Sequence, residues 1–335
     1  MLPHHDNGLQ SPRRRVRVTL LGFGRFWAPV LAEGLKSRYS DELDVRWMEW
    51  PSRWSERARF IFELLRCDVA VRVGMPLEFD SETNRLFLKV ATSLSHPKVV
   101  NYWIGGGDLP VFAKRLSAGQ VTERDRRALA HMTHFAAAEN IAEELRALGV
   151  VATPVIFPAP ERTLPATTPP LPDEFRVLTY WSDGRADVLG AAAVLAAARA
   201  LPAIEFDVVG TGGATFDAPD NATFHGRVED VGPYHLSSVV SVRLAVHDAV
   251  PGAMVLESLA YARHVVYSYE YPHTTFVEYG DVDGLTSALS SLQERHARGE
   301  LSPNAEGRSY VLRRYDANLL FLRIKEALVE VSRGG

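Results

Sequence analysis

Cysteine is almost absent from this 335-residue chain, in which Cys67 is the only example. An intrachain disulfide is therefore excluded, and so is a zinc site built from a cluster of cysteines. Sparse cysteine is typical of proteins that work in a reducing compartment. We therefore expect a cytoplasmic protein.

Long apolar runs are missing as well, and no stretch approaches the roughly 18 apolar residues that a membrane span needs. The first fifteen residues, MLPHHDNGLQSPRRR, have no apolar centre, so they do not read as a secretory signal and are expected to form a disordered tail. Arg13–Arg15 and Arg17 could contact anionic lipid, which leaves peripheral membrane contact as an alternative. A solvated tail before a strand is the simpler interpretation, and we prefer it.

The chain also lacks an excess of positive charge, since its formal net charge at pH 7 is −4. Proteins that bind phosphate backbones are usually basic, so nucleic acid is a poor candidate partner. Hydrophobic residues make up 46% of the chain, which is enough to fill two cores. A chain of this length usually forms about two domains.

Short apolar runs alternate with helical patterns in two series, one before and one after a proline-rich stretch. This alternation predicts an α/β fold with parallel strands and helical crossovers. Ligands in such sheets bind at the carboxyl ends of the strands, which predicts a cleft between the two domains. We predict a tail over 1–15, a first Rossmann-like domain over 16–157, a linker over 158–173, a second domain over 174–315, and a last helix over 316–335 that returns to the first domain.

A glycine turn follows the first predicted strand. Gly22 and Gly24 stand between this strand and a helix, so their amides could face a phosphate or a sugar. Trp27 occupies the place where the dinucleotide-binding pattern G-x-G-x-x-G needs its third glycine, so that fingerprint is broken. Two interpretations stay equal: a tight turn without a ligand, and a loop in the cleft that includes Arg25. Binding of NAD is the least supported.

The stretch Val239–Ser268 offers more chemistry. An apolar strand ends near Asp248, and a helix follows that begins at Gly252 and carries Glu257. The free N–H groups of such a helix start suit a diphosphate, and small residues such as Gly252 and Ala253 leave room for it. A buried Glu257 would need partners, which the two hydroxyls of a ribose could supply. A surface glutamate on an ordinary helix is the alternative.

The end of this stretch, VLESLAYARHVVYS, resembles the signature of retaining GT-B glycosyltransferases of the family 4 type. Four more segments resemble motifs of that family, in the expected order: NYWIGGGD (101–108), HFAAAENIAEELRALGV (134–150), FDVVGTGG (206–213) and ATFHGRVEDV (222–231). The resemblance implies a GT-B fold, with two facing Rossmann-like domains and a nucleotide-sugar site between them.

The resemblance also implies roles for individual residues. Glu257 would hold the ribose, and Arg185 would contact phosphate. The backbone around the donor would be provided by the helix start, the glycine loop and the segment at the base: Gly252, Ala253, Met254, Gly210, Gly212, Arg227 and Val228. The acceptor side would be lined by Gly22, Gly24, Arg25, Tyr102 and Gly105.

Two departures from the family pattern affect catalysis. The family has a carboxylate eight residues before its glutamate, where this chain has Ala249. Asp248 is one residue away, so we predict that a longer loop brings it into that place as a catalytic residue, together with Arg185. Tyr102 stands where the family has a histidine.

The leading hypothesis is therefore transfer of a sugar from a nucleotide-sugar donor, with retention and without a metal or other cofactor. The acceptor would be a glycan, a lipid-linked glycan or a small molecule. Because of the two departures, a catalytically silent glycosyltransferase-like subunit that binds a partner is the main alternative. An NAD-dependent oxidoreductase is a third hypothesis, which depends on the broken glycine turn.

Overall fold

The structure, a computed structural model, describes residues 14–22, 27–51, 54–75, 87, 98–105, 107–158 and 164–334. Of residues 54 and 55 it describes the backbone only. The chain divides into two compact units. The first unit contains Met1–Ile156 and Leu320–Gly335, and the second unit contains Phe157–Leu319.

The first unit is built on a six-stranded parallel sheet with helices between the strands. Its strands are β1 (Val16–Gly22), β2 (Leu43–Glu49), β3 (Val69–Val73), β4 (Lys98–Trp103), β5 (Thr133–Ala136) and β6 (Thr153–Pro154). Its helices before the second unit are α1 (Trp27–Tyr39), α2 (Trp54–Arg66), α3 (Asp108–Ser117), α4 (Glu123–Ala130) and α5 (Glu139–Ala147). The strand order is β2-β1-β3-β4-β5-β6.

The central strands of this sheet are nearly continuous apolar runs. All five residues of β3 are buried, and so are the last five of β1. A parallel strand covered on both faces has no solvent side, so its sequence need not alternate between apolar and polar residues. This is why the strand positions are easy to read from the sequence.

The second unit repeats the architecture with another six-stranded parallel sheet. Its strands are β7 (Arg176–Tyr180), β8 (Glu205–Val209), β9 (Ala222–Phe224), β10 (Val240–Arg243), β11 (His264–Tyr267) and β12 (Thr275–Phe276). Its helices are α6 (Ala191–Ala200), α7 (Gly232–Ser237), α8 (Ala253–Ala260), α9 (Val282–Ala297) and α10 (Ala305–Arg314). The strand order is β12-β11-β10-β7-β8-β9.

These two sheets confirm the predicted α/β class. The structure also contains elements that the sequence patterns did not predict, namely α3, α4, α7, β9 and β12. Helix α4 shows why such elements are difficult to predict: its sequence, ERDRRALA, contains few apolar residues. Its stability at the start comes from a capping box between Thr122 and Asp125, a local feature that hydrophobic periodicity does not report.

The described part of the proline-rich stretch, residues 164–172, packs on the second unit; we call it the strap. Leu164 and Leu171 lie against buried apolar clusters of that unit. The Nη1 atom of buried Arg263 donates to the carbonyl of Pro170 at 2.8 Å, and burial lowers the pKa of Arg263 to about 10. Arg308 donates to the carbonyl of Pro165. The strap is thus bound along its length, where the sequence predicted an extended linker.

Helix α11 (Ala317–Arg333) packs on the first unit. It buries Leu320, Phe321, Ile324 and Leu328. The Phe321 ring fills the space beside Gly34 so closely that a Cβ atom on this glycine would lie 1.9 Å from it. The guanidinium of Arg38 covers the same ring at 4.6 Å, and Lys325 Nζ lies 3.2 Å from a carboxylate oxygen of Glu42.

No helix in the described part of the chain has both the length and the apolar character that a membrane crossing requires.

Candidate functional site

The strand order of the second sheet reverses between β7 and β10. Chain-consecutive strands run outward from this pair in opposite directions, as in the dinucleotide-binding sheets with order 3-2-1-4-5-6. Ligands of such sheets bind beyond the carboxyl ends of the strands at this reversal. The loops after β7 and β10 meet there, because the Val246 N–H donates to the carbonyl of Val188 at 3.0 Å.

The loop after β8 contains the predicted glycines. Gly210 adopts a φ of +100°, and a Cβ atom there would lie 2.4 Å from the carbonyl oxygen of Trp181. Its N–H donates to the carbonyl of Gly226 at 2.7 Å, which ties this loop to the segment after β9. Gly212, in contrast, has no atom within 4 Å of the place where its Cβ would stand. Close packing therefore requires a glycine at position 210, whereas the space beside Gly212 is open.

A small apolar cluster joins three of the predicted donor segments. Met254 of α8 packs with Leu178 and Val209, which belong to β7 and β8, and Val228 lies against this cluster. The sequence placed Met254 and Val228 in one site, and the structure brings them together. Arg227, the neighbour of Val228, is exposed.

Helix α8 begins at the carboxyl end of β10 without a side-chain cap. Gly252 is its N-cap residue, with extended backbone angles of −65° and 155°. The N–H of Gly252 donates to the hydroxyl of Tyr267 at 3.2 Å, so this amide already has a protein acceptor, and its predicted contact with a ligand stays a prediction. The next two amides, of Ala253 and Met254, have no acceptor among the described residues. They form the open positive end of the helix, where an anion binds favourably.

Glu257 lies one turn further along α8, and its side chain is 13% exposed. Its Oε2 atom is 3.6 Å from Nε2 of His235, a buried residue of α7. The His235 ring stacks on Tyr261 with centroids 5.1 Å apart. A ribose is the predicted partner of this carboxylate. The structure adds His235 as a protein neighbour.

Asp248, the predicted catalytic residue, is buried in an ion pair with Arg243. It is 6% exposed, and both of its oxygens accept hydrogen bonds from Arg243, at 2.9 Å from Nε and 3.1 Å from Nη2. Burial opposes the charge of Arg243, but Asp248 outweighs that effect and raises the pKa of Arg243. Asp248 Oδ2 also accepts from the Tyr267 hydroxyl at 3.2 Å. Asp248 is thus held in a buried ion pair, which gives it a structural role.

Arg185 lies in the exposed loop after β7. Its N–H donates to the carbonyl of Ser182 at 3.0 Å, so the loop makes a turn that ends at Arg185. The neighbouring loop after β10 begins the path to helix α8. Arg185 therefore comes after β7 and the start of α8 comes after β10, and these are the two strands at which the order of the sheet reverses.

The predicted acceptor-side residues belong to the first unit. Tyr102 is 1% exposed, its hydroxyl donates to the carbonyl of Val155 at 2.5 Å, and burial raises its pKa. Tyr102 is therefore a core residue of the first unit, and the acceptor-side role predicted for it stays a prediction. The N–H of Gly105 donates to Asp108, and Gly22 ends β1 close to Ala28. Gly24 and Arg25 lie outside the described residues.

Three residues of the site were missed by the sequence analysis: Arg243, Tyr267 and His235. Arg243 did carry a signal, since a charged residue stands beside the apolar residues of this strand and a buried charge needs a partner. Tyr267 is paired with Arg243 in the register of β10 and β11. This pairing between strands more than twenty residues apart is not visible in local sequence. His235 lies on a short helix that was not predicted.

No protein-family model matches the chain, and no curated protein matches it by sequence. Solved structures do match it. HepE of Anabaena, in complex with UDP-glucose, superposes with a TM-score of 0.68 at 10% identity, over 94% of this chain and 100% of that one. A glycosyltransferase from Rickettsia africae ESF-5 gives a TM-score of 0.64 at 11% identity, over 96% and 100%.

A third similar structure is the pneumococcal O-GlcNAc transferase GtfA in complex with UDP and GlcNAc. Its TM-score is 0.57 at 11% identity, and the match covers 82% of this chain and 59% of that one. The chain has the GT-B fold of these glycosyltransferases. The fold implied by the motif resemblance is therefore confirmed.

Proposed function

We propose that this chain is a GT-B glycosyltransferase that moves a hexosyl unit, with retention, from a nucleoside-diphosphate sugar to an acceptor hydroxyl. The main support is the arrangement at the sheet reversal of the second unit. There the open amides of Ala253 and Met254 lie on the same short helix as Glu257. HepE, which has the same fold, was solved with UDP-glucose, so a uridine nucleotide is the first donor to test.

In this proposal each part of the donor meets a group suited to it. Glu257 accepts hydrogen bonds from the ribose hydroxyls, and the backbone near Val228 contacts the base. The diphosphate lies at the start of α8, where helix amides favour negative charge. Arg185 and Arg227 are exposed cations of the same unit and are the proposed side-chain partners of phosphate. Gly212 leaves space for the donor to approach the backbone.

The proposed sugar transfer builds up negative charge on the leaving diphosphate. The bond between the anomeric carbon and the diphosphate breaks, and the nucleoside diphosphate leaves with the electron pair. The acceptor oxygen bonds to the anomeric carbon, and its proton passes to the departing diphosphate. Negative charge therefore grows on the diphosphate in the transition state, where the helix amides and Arg185 would stabilise it.

The first experiment is thermal-shift screening against a panel of nucleotide sugars and nucleoside diphosphates. A ligand that binds only the native state raises the melting temperature. We expect a uridine, guanosine or adenosine nucleotide sugar to do so. An assay of sugar release or transfer with that donor follows, and turnover supports an enzyme. Binding without turnover would favour the catalytically silent subunit, and the absence of both would overturn the proposal.

A further inference from the structure

The last residues of β10 and β11 form one polar network with Asp248. Arg243 and Tyr267 are paired in the register of the two strands, so their side chains leave the sheet side by side. Arg243 holds Asp248 through two hydrogen bonds, at 2.9 and 3.1 Å. The three residues therefore form a connected group at the carboxyl edge of the sheet, below the start of α8.

The Tyr267 hydroxyl connects this network to the helix backbone. It donates to Asp248 Oδ2 at 3.2 Å and accepts from the N–H of Gly252 at 3.2 Å. Burial and the charge of Asp248 raise the pKa of Tyr267, so the hydroxyl keeps its proton and continues to donate. One oxygen atom thus links the carboxylate of Asp248 to the N-cap amide of α8.

Asp248 also contacts Gly252 directly. A Cβ atom on Gly252 would lie 2.3 Å from Asp248 Oδ2, so only glycine allows this approach. A bare carboxylate below a helix start would compete with a bound anion for the positive end of the helix. Arg243 neutralises that carboxylate. The network thereby supports the helix start and leaves its positive end available.

We propose that Tyr267 is a positioning residue, held by Arg243 and Asp248, that fixes Gly252 and so directs the open amides of Ala253 and Met254 at an anionic ligand. The inference rests on the proposed function, because it assigns that ligand as the diphosphate of the donor. It predicts that the network matters for the diphosphate and not for the nucleoside. This difference separates positioning from a general structural role.

The decisive variant is Tyr267→Phe, which removes one oxygen and keeps the ring. The probes are UDP and uridine, with affinities measured by titration calorimetry. We expect the variant to bind UDP about tenfold more weakly, the loss typical of one well-placed hydrogen bond. Uridine affinity should be unchanged. Tyr271→Phe is the matched control, because its hydroxyl is also hydrogen-bonded, to that of Tyr315 at 3.0 Å, in the same unit.

Two results would overturn the inference: equal UDP affinity in Tyr267→Phe and wild type, or equal weakening of UDP and uridine. Amide hydrogen exchange provides a measurement that needs no ligand. Loss of the Tyr267 hydroxyl should speed exchange at the Gly252 amide relative to wild type, whereas Tyr271→Phe should not. If wild-type protein binds neither probe, the proposed uridine donor fails, and the exchange at Gly252 still decides whether Tyr267 positions the helix start.

Discussion

The carboxylate of Glu257 and the imidazole of His235 lie 3.6 Å apart, between helices α8 and α7. The histidine is buried and stacked on Tyr261, so it cannot turn away from the glutamate without disturbing packing. The glutamate therefore faces a well-packed protein group before any ligand arrives. A neighbour that is already in place lowers the ordering cost of binding.

The first prediction concerns Glu257 as a ligand residue. Glu257→Ala should reduce nucleotide affinity by roughly 1–3 kcal/mol, because two ribose hydroxyls lose their acceptor. Glu257→Gln should lose less, since it retains one acceptor oxygen. Calorimetry on both variants measures this, with Glu278→Gln, an exposed glutamate of the same unit, as the control. Unchanged affinity in both variants, with lowered thermal stability, would show that Glu257 only anchors His235.

The second prediction concerns the ion pair of Asp248 with Arg243. Asp248→Asn should lower the free energy of unfolding by about 3–5 kcal/mol, because it leaves a buried arginine without its counter-charge. Urea denaturation of this variant, of Arg243→Met and of the double variant gives the coupling energy. A small stability loss with a selective loss of sugar transfer would restore the catalytic role that the sequence predicted for Asp248.

The features that could be predicted from the sequence are those that depend on local interactions. Strand β1 coincides with a mostly apolar run of the sequence that ends at a glycine, because its last five residues are buried in the sheet. Motif order was enough to identify the fold. The partner of Asp248 was not predicted, because the bond to Arg243 depends on how the loop after β10 folds back. The burial of Tyr102 was not predicted, because resemblance aligns positions and does not report which of them are buried.

The third prediction concerns pH and the first unit. Burial alone would raise the pKa of Asp68, but hydrogen bonds and charge from Arg17, with the charge of Arg14, hold this pKa below its usual value. A lowered pKa in the folded state adds stability above the unfolded pKa of about 3.9. That stability is lost as pH falls through the lower folded pKa.

Asp68→Asn should therefore destabilise the first unit by about 1 kcal/mol at pH 7, a modest value because solvent screens the exposed Arg14. The difference from wild type should shrink as pH falls below about 4. Urea denaturation at a series of pH values measures this. Asp173→Asn, at an exposed aspartate of the second unit, is the control. A difference that stays constant down to pH 2 would contradict the assignment.

The fourth prediction uses Cys67 as a reporter of unfolding. The thiol is 3% exposed, and burial raises its pKa to about 11. Because thiolate is the reactive form, a disulfide reagent such as dithionitrobenzoate should label native protein at pH 8 very slowly. One equivalent should react promptly in denaturant, and Cys67→Ser should not react at all. Fast labelling of the native protein would show that the first unit opens readily at α2.

The position of helix α11 in the chain affects the order in which the two units can fold during synthesis. The first unit's core includes Leu320, Phe321, Ile324 and Leu328, which are synthesised after the whole of the second unit. At about 5–20 residues per second, roughly 10–30 seconds separate the end of the N-terminal segment from the arrival of this helix. During that interval the surface around Gly34 that Phe321 will cover stays open to water. The second unit, whose residues form one uninterrupted segment, is complete earlier. The half of the protein that is made first is therefore the half that finishes folding last.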